Sequence, residues 1–156
     1  MISETANKLH GMVPDIPLYK ILAAIHIRLE QYEQFKKLLS DPESTQTATL
    51  YSTLCSRTLG ITDTITGVVP FHDMINHSFE PNLCLDISDD GSHMELVALK
   101  DVEPGEELFL CYTTVGREYD EDAAVWMLVQ WGIPIRRNDW KVSDIYEKAE
   151  EAAAFQ

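Results

Sequence analysis

Apolar residues recur at three- and four-residue steps through Leu18, Leu22, Ile25, Leu29 and Tyr32, the spacing of one face of an α-helix. The pattern predicts a helix opening at Asp15-Ile16-Pro17, with Asp15 as N-cap and Pro17 in the first turn. It runs to about Leu39, and Asp41-Pro42 ends it. A second helix is predicted over 47–58, although its threonines lower the propensity; its end carries Ser56-Arg57.

From Gly67 the texture changes to short alternating stretches. Residues 82–88 and 93–99 flank Asp89-Asp90-Gly91-Ser92, which predicts a hairpin. Met94, Leu96 and Ala98 alternate with Glu95, Val97 and Leu99, so both faces are partly apolar. Pro104-Gly105 predicts a turn feeding a strand over 107–112. Helices are expected again at 120–130 and at 143–154, the latter capped by Ser143. Helices, a strand-rich middle and helices again predict an α+β class.

Composition narrows the field. At 156 residues the chain is one modest domain. Its 12 basic against 26 acidic residues give a formal charge of −14. Such a surface argues against nucleic-acid binding and suits basic, lysine-rich partners, though plain solubility explains it equally well. Cys55, Cys84 and Cys111 are odd in number and lie mostly in apolar surroundings, so they read as buried thiols in a reducing compartment. No apolar run reaches bilayer length, and no basic segment followed by an apolar one opens the chain. The expectation is an intracellular protein, cytoplasmic or nuclear, without a signal peptide or membrane association.

Candidate chemistry concentrates in two places. Asp73-Met74-Ile75-Asn76-His77 sets polar groups immediately after the apolar stretch 67–71. Polar groups at the end of a buried strand need hydrogen-bond partners, which a small zwitterionic ligand or a locally capped turn can supply. Tyr112, at the end of the later strand, can point a phenol into a pocket or simply pack.

Other chemistries fare worse. Asp86, Ser88, Asp90 and Gly91 imitate the opening of a calcium loop, but Val97 stands where the bidentate carboxylate belongs. His72, His77, His93 and the cysteines show no CxxC or HExxH spacing, so no metal site is expected. Cys111, in an apolar strand, lacks the electropositive setting of a reactive thiolate.

Order and combination carry the stronger signal. Ser56-Arg57 is followed by Val69-Pro70-Phe71-His72-Asp73-Met74-Ile75-Asn76-His77-Ser78. Then come Pro104-Gly105-Glu106-Glu107-Leu108-Phe109-Leu110-Cys111-Tyr112 and Gln130-Trp131-Gly132-Ile133. Together they resemble the SET-domain methyltransferases of the Rubisco-methyltransferase and SETD class, over roughly 18–135. The resemblance implies small curved β-sheets carrying a helical insert, with the C-terminal segment tucked through a loop of the chain. It implies a partial SET domain over 1–135, insert at 16–58, and a C-terminal helical tail over 136–156 as the remnant of a substrate-docking region.

By the same resemblance the cofactor is S-adenosylmethionine, contacted by Asn76 and His77 with Asp73 and Arg57 organising the pocket. Tyr112 becomes the catalytic tyrosine, and Trp131 lines the substrate channel where the family usually has a tyrosine before glycine. The implied activity is protein-lysine N-methylation of a basic, lysine-containing segment, with histidine as an alternative acceptor. No metal is required.

The glycine-rich strand that opens a SET core has no counterpart before Asp15, where only Gly11 stands. A fragment of a longer protein or a shortened domain is therefore expected. The alternative function is a catalytically incomplete SET fragment acting as a protein-interaction module, and a cysteine- or metal-dependent hydrolase is a third.

Overall fold

A computed structural model describes residues 1–40, 43–60, 66–88, 93–112 and 119–140. The described chain is α+β, with helices at both ends and two-stranded sheets between them. It divides into two compact units. One comprises Met1–Thr58 with Tyr119–Trp140, and the other, from Leu59 onward, holds nearly all of the described strand residues.

The helical unit contains α1 (Ile2–Met12), α2 (Leu18–Lys36), α3 (Thr45–Arg57) and α4 (Glu121–Trp131). Helix α1 is not among the elements that the hydrophobic pattern predicts, yet Ala6 and the following Val13 are buried. Helix α2 starts at Leu18, where its apolar pattern begins, but Pro17 rather than Asp15 is its N-cap. The Asp15 carboxylate instead accepts from the Arg137 N–H at 3.2 Å, tying the segment before α2 to the one after α4.

The buried positions of α2 are Ile21 and Ala24, while Leu29, from the predicted apolar face, is 39% exposed. Hydrophobic and polar residues are mixed around this helix, so spacing alone does not select the buried stripe. Helix α2 ends at Lys36, before Asp41-Pro42, which lie outside the described residues.

Helix α3 opens two residues before its expected start, because Ser44 Oγ accepts from the Thr47 N–H at 3.2 Å. Helix α4 follows its signals closely. Asp120 caps it by accepting from the N–H groups of Asp122 (2.9 Å) and Ala123 (3.1 Å). Gly132 closes it at φ 71°, a left-handed conformation suited to glycine, and donates to the Leu128 carbonyl at 3.0 Å. Ala124, Val125, Met127 and Leu128 of α4 join Ile16, Ile21 and Ile135 in the core of this unit. Lys20 of α2 pairs with Asp122 at 2.7 Å and Glu121 at 3.4 Å at the head of α4.

The second unit is strand-rich. β1 (Thr58–Gly60) pairs with β2 (Thr66–Val68), and β3 (Asn76–His77) pairs with β6 (Phe109–Leu110). β4 (Leu83–Ile87) and β5 (Met94–Ala98) form the expected antiparallel hairpin, from Leu83 opposite Ala98 to Ile87 opposite Met94. Its predicted turn, Asp89-Asp90-Gly91-Ser92, lies outside the described residues, as does the expected helix at 143–154.

Both faces of β5 are partly exposed, with Leu96 at 42%. Asn82, Leu83 and Leu110 are the fully buried positions among the described residues of this unit. Cys55, Cys84 and Cys111 form no disulfide among the described residues and are half-buried rather than fully enclosed. None of the described helices is long and apolar enough to cross a membrane.

Candidate functional site

The chain approaches the Asp/Asn/His segment through a tight corner. Phe71 takes φ 72°, a left-handed value uncommon for an aromatic residue, and its side chain is 84% exposed. A short 3-10 turn over His72–Met74 follows, closed by the Met74 N–H on the Phe71 carbonyl at 3.2 Å and the Ile75 N–H on the His72 carbonyl at 3.1 Å. This corner leaves Asp73 half-buried and delivers Ile75, Asn76 and His77 in extended conformation.

The segment ending in Tyr112 arrives by a different device. Glu103-Pro104-Gly105-Glu106 is a β-turn, closed by the Glu106 N–H on the Glu103 carbonyl at 2.9 Å. Gly105 takes φ 89°, and proline followed by a positive-φ glycine is the type II pattern. The strand it feeds is shorter than expected, since β6 covers only Phe109–Leu110 and Tyr112 lies two residues beyond it. β6 runs parallel to β3, with Asn76 opposite Phe109 and His77 opposite Leu110. The Ser78 N–H extends this ladder by donating to the Leu110 carbonyl at 2.9 Å.

That pairing brings His77 and Tyr112 into contact. The Tyr112 N–H donates to His77 Nδ1 at 3.1 Å, and the Tyr112 hydroxyl donates to the Ile75 carbonyl at 2.5 Å. Their rings lie 5.3 Å apart, tilted by 48°, and the Phe79 and His77 rings meet edge-on at 4.8 Å. The imidazole and phenol therefore pack side by side rather than facing each other across a hollow.

With Nδ1 accepting, the neutral ring carries its proton on Nε2. That Nε2 is buried and has no hydrogen-bond partner among the described residues. Burial pushes the His77 pKa down to about 4, so the ring is neutral at physiological pH.

Asn76 is exposed, and its Nδ2 donates to Glu107 Oε1 at 2.7 Å. This sets a carboxylate beside the amide, a polarity that complements a cationic ligand. His72 is half-buried, and burial lowers its pKa against the opposing charge of Asp73.

Arg57 and Trp131 belong to the helical unit. Arg57 is the last residue of α3, and the Trp131 indole N–H donates to the carbonyl of its neighbour Ser56 at 3.0 Å. Gln130 Nε2 adds a bond to the Cys55 carbonyl at 2.7 Å. Glycine after Trp131 is accounted for by the helix cap, and the indole donor is committed to Ser56.

Three contributors are not singled out by the sequence: the Ile75 carbonyl, Glu107 and Asn82, whose Oδ1 accepts from the Phe109 N–H at 2.7 Å. The first is a backbone group with no sequence signature. Glu107 resembles ordinary turn polarity. Asn82 resembles an ordinary polar residue before a strand, although its place between Pro81 and the apolar run from Leu83 is a usable signal.

The SET domain family profile matches residues 11–113, a span containing both the Asn76-His77 segment and Tyr112. Comparison with curated proteins and with solved structures finds no match. With 103 of its 156 residues matched by that profile, the chain belongs to the SET-domain family.

Proposed function

We propose that the chain is an S-adenosylmethionine-dependent protein-lysine N-methyltransferase of the Rubisco-methyltransferase and SETD class. The observation that carries the reading is the meeting of two motifs distant in sequence, through the Tyr112 N–H on His77 Nδ1 and the Tyr112 hydroxyl on the Ile75 carbonyl. Family membership supports it.

The residues suit the cofactor. The buried His77 Nε2–H offers a donor in need of an acceptor, and a neutral imidazole does not repel a sulfonium. Glu107, held by Asn76, adds complementary negative charge. Asn76 and His77 hold S-adenosylmethionine in this reading, with Asp73 and Arg57 assisting. The cofactor supplies a methyl group activated on a positively charged sulfur.

Tyr112 is the catalytic residue. Its hydroxyl proton is committed to Ile75, so the phenolic oxygen would face the cofactor's methyl as an acceptor of weak C–H···O contacts. Such contacts are individually small. Alignment of donor and acceptor contributes more, about 7–11 kcal/mol in favourable cases. The acceptor lysine must be neutral to attack, which desolvation favours.

The acidic composition suits a basic protein substrate. Trp131 contributes an aromatic face, since its indole donor is engaged. Half-buried cysteines without a disulfide fit a reducing intracellular compartment. The helices over 16–58 are the insert of the SET core.

A second reading is a catalytically incomplete SET fragment that binds a basic protein partner, which the formal charge of −14 suits. Calorimetry with S-adenosylmethionine separates the two. An enzyme binds in the micromolar range, about −8 kcal/mol, and methylates lysine in a basic protein. Absence of binding removes the enzymatic reading.

A further inference from the structure

We propose that Asn82 is a positioning residue whose buried carboxamide holds the strand leading to Tyr112 in register against Asn76-His77. Asn82 is 2% exposed, in a unit whose other fully buried described residues are Leu83 and Leu110. A polar side chain at such a centre is costly unless its bonds are made. Here they are. Oδ1 accepts from the Phe109 N–H at 2.7 Å, and Nδ2 donates to the Glu107 carbonyl at 2.8 Å and to Glu106 Oε1 at 3.3 Å. The Asn82 carbonyl also accepts from the Leu99 N–H at 2.9 Å.

The pattern has a specific meaning for β6. The Glu107 carbonyl and the Phe109 N–H point to the same side of an extended chain, where a neighbouring strand would pair with them. The Asn82 amide takes the place of that strand. β3 covers the opposite edge, pairing with Phe109–Leu110.

A two-residue strand holds its register poorly, and a slip of one residue would reverse its faces. It would take the Tyr112 N–H away from His77 and the hydroxyl away from Ile75. Glu106 ties the same amide to the turn, because its carboxylate also accepts from Lys100 Nζ at 2.8 Å and from the Glu103 N–H at 3.1 Å.

The activity arm of the test rests on the methyltransferase reading; the spectroscopic arms do not. Asn82→Ala and the near-isosteric Asn82→Asp remove the donor to Glu107, and the aspartate also sets a second negative charge beside Glu106. Both are expected to lower kcat by roughly ten- to a hundredfold, with a smaller change in KM for S-adenosylmethionine.

The His77 imidazole NMR signals are expected to move in both variants, with titration rising toward that of an ordinary histidine. In the unmodified chain, the Phe109 amide is expected to exchange slowly with solvent. Folded variants with unchanged His77 signals would overturn the proposal. So would a lesion in Asn82→Ala that is absent from the similarly sized Asn82→Leu, since volume loss then explains it. Should neither variant fold, the Phe109 amide decides, and rapid exchange there refutes the role. Should the unmodified chain bind no S-adenosylmethionine, the enzymatic reading fails while the NMR and exchange arms still judge Asn82.

Discussion

Tyr112 reaches back across 35 residues to give its backbone N–H to Nδ1 of His77, at 3.1 Å. The bond comes from the main chain, so it survives changes to the phenol ring. It fixes the neutral imidazole as the Nε2–H tautomer and holds the ring against Tyr112. Side chain and backbone of Tyr112 therefore have separable roles.

Tyr112→Phe tests the side chain alone. Losing the hydroxyl removes the bond to the Ile75 carbonyl and is expected to cost about 1 kcal/mol of stability. Methyl transfer is expected to fall about tenfold or more, where about 1.4 kcal/mol in the barrier is a factor of ten. Thermal melting and transfer of isotopically labelled methyl measure the two effects. A rate equal to that of the unmodified chain excludes Tyr112 from the reaction.

The half-buried imidazole makes stability depend on pH in a defined direction. His77 titrates near 6.5 when unfolded and at about 4 in the fold, so the unfolded chain takes up its proton first on acidification. The stabilisation is complete above pH 6.5 and is lost as pH falls toward about 4. Discounted for the ring's partial exposure, the loss is about 1–2 kcal/mol. Urea midpoints across this window should fall in the unmodified chain and fall less in His77→Gln. Equal slopes would mean that His77 is not the titrating group.

Glu106 acts at lower pH. Lys100, the Glu103 N–H and Asn82 hold its carboxyl at about 2, below the ordinary 4.5. Its stabilisation is therefore present above pH 4.5 and disappears as pH falls toward 2. Glu106→Gln should flatten the acid side of the stability profile within that window, and added salt should weaken the exposed Lys100 contribution. Acid denaturation curves that superimpose for the two proteins would contradict this account.

Two glycines should respond to alanine with opposite signs. Gly132 has φ 71°, and nothing lies within 4 Å of the point a Cβ would occupy, so Gly132→Ala costs only backbone strain. That strain is about 1 kcal/mol. Gly11 lies within α1 and has similar open space, so Gly11→Ala should stabilise by about 0.5 kcal/mol through helix propensity. A melting temperature of Gly132→Ala at or above that of the unmodified chain would refute the cap assignment, and a lowered one for Gly11→Ala would refute the helix-propensity gain.

Legibility varies with how local the cause is. Helix α4 is readable because Asp120, its apolar interior and Gly132 all act within a few residues of their own positions. The hairpin of β4 and β5 is readable for the same reason, through alternation around a turn signal. Asp15 misleads: a carboxylate before proline suits an N-cap, but a distant N–H, that of Arg137, takes it. Helix α1 escapes detection because short sequences with few apolar residues carry weak periodicity, and its burial comes from packing on α2. The motif residues Asn76, His77 and Tyr112 stand out by order and identity, whereas Asn82 gains its significance from burial.

By itself the amino-acid order determined the mixed helical and strand character, the hairpin, the capped α4 and the segments worth suspecting. Each depends on propensity, periodicity or turn chemistry over a short span. Tertiary structure alone decided that β3 and β6 pair in parallel, that Tyr112 donates to His77, and that Asn82 replaces a missing strand beside Phe109. The two hydrogen bonds among these join residues 27 and 35 positions apart. Which of many polar groups meet across such distances depends on chain closure and burial, and neither is written in local sequence.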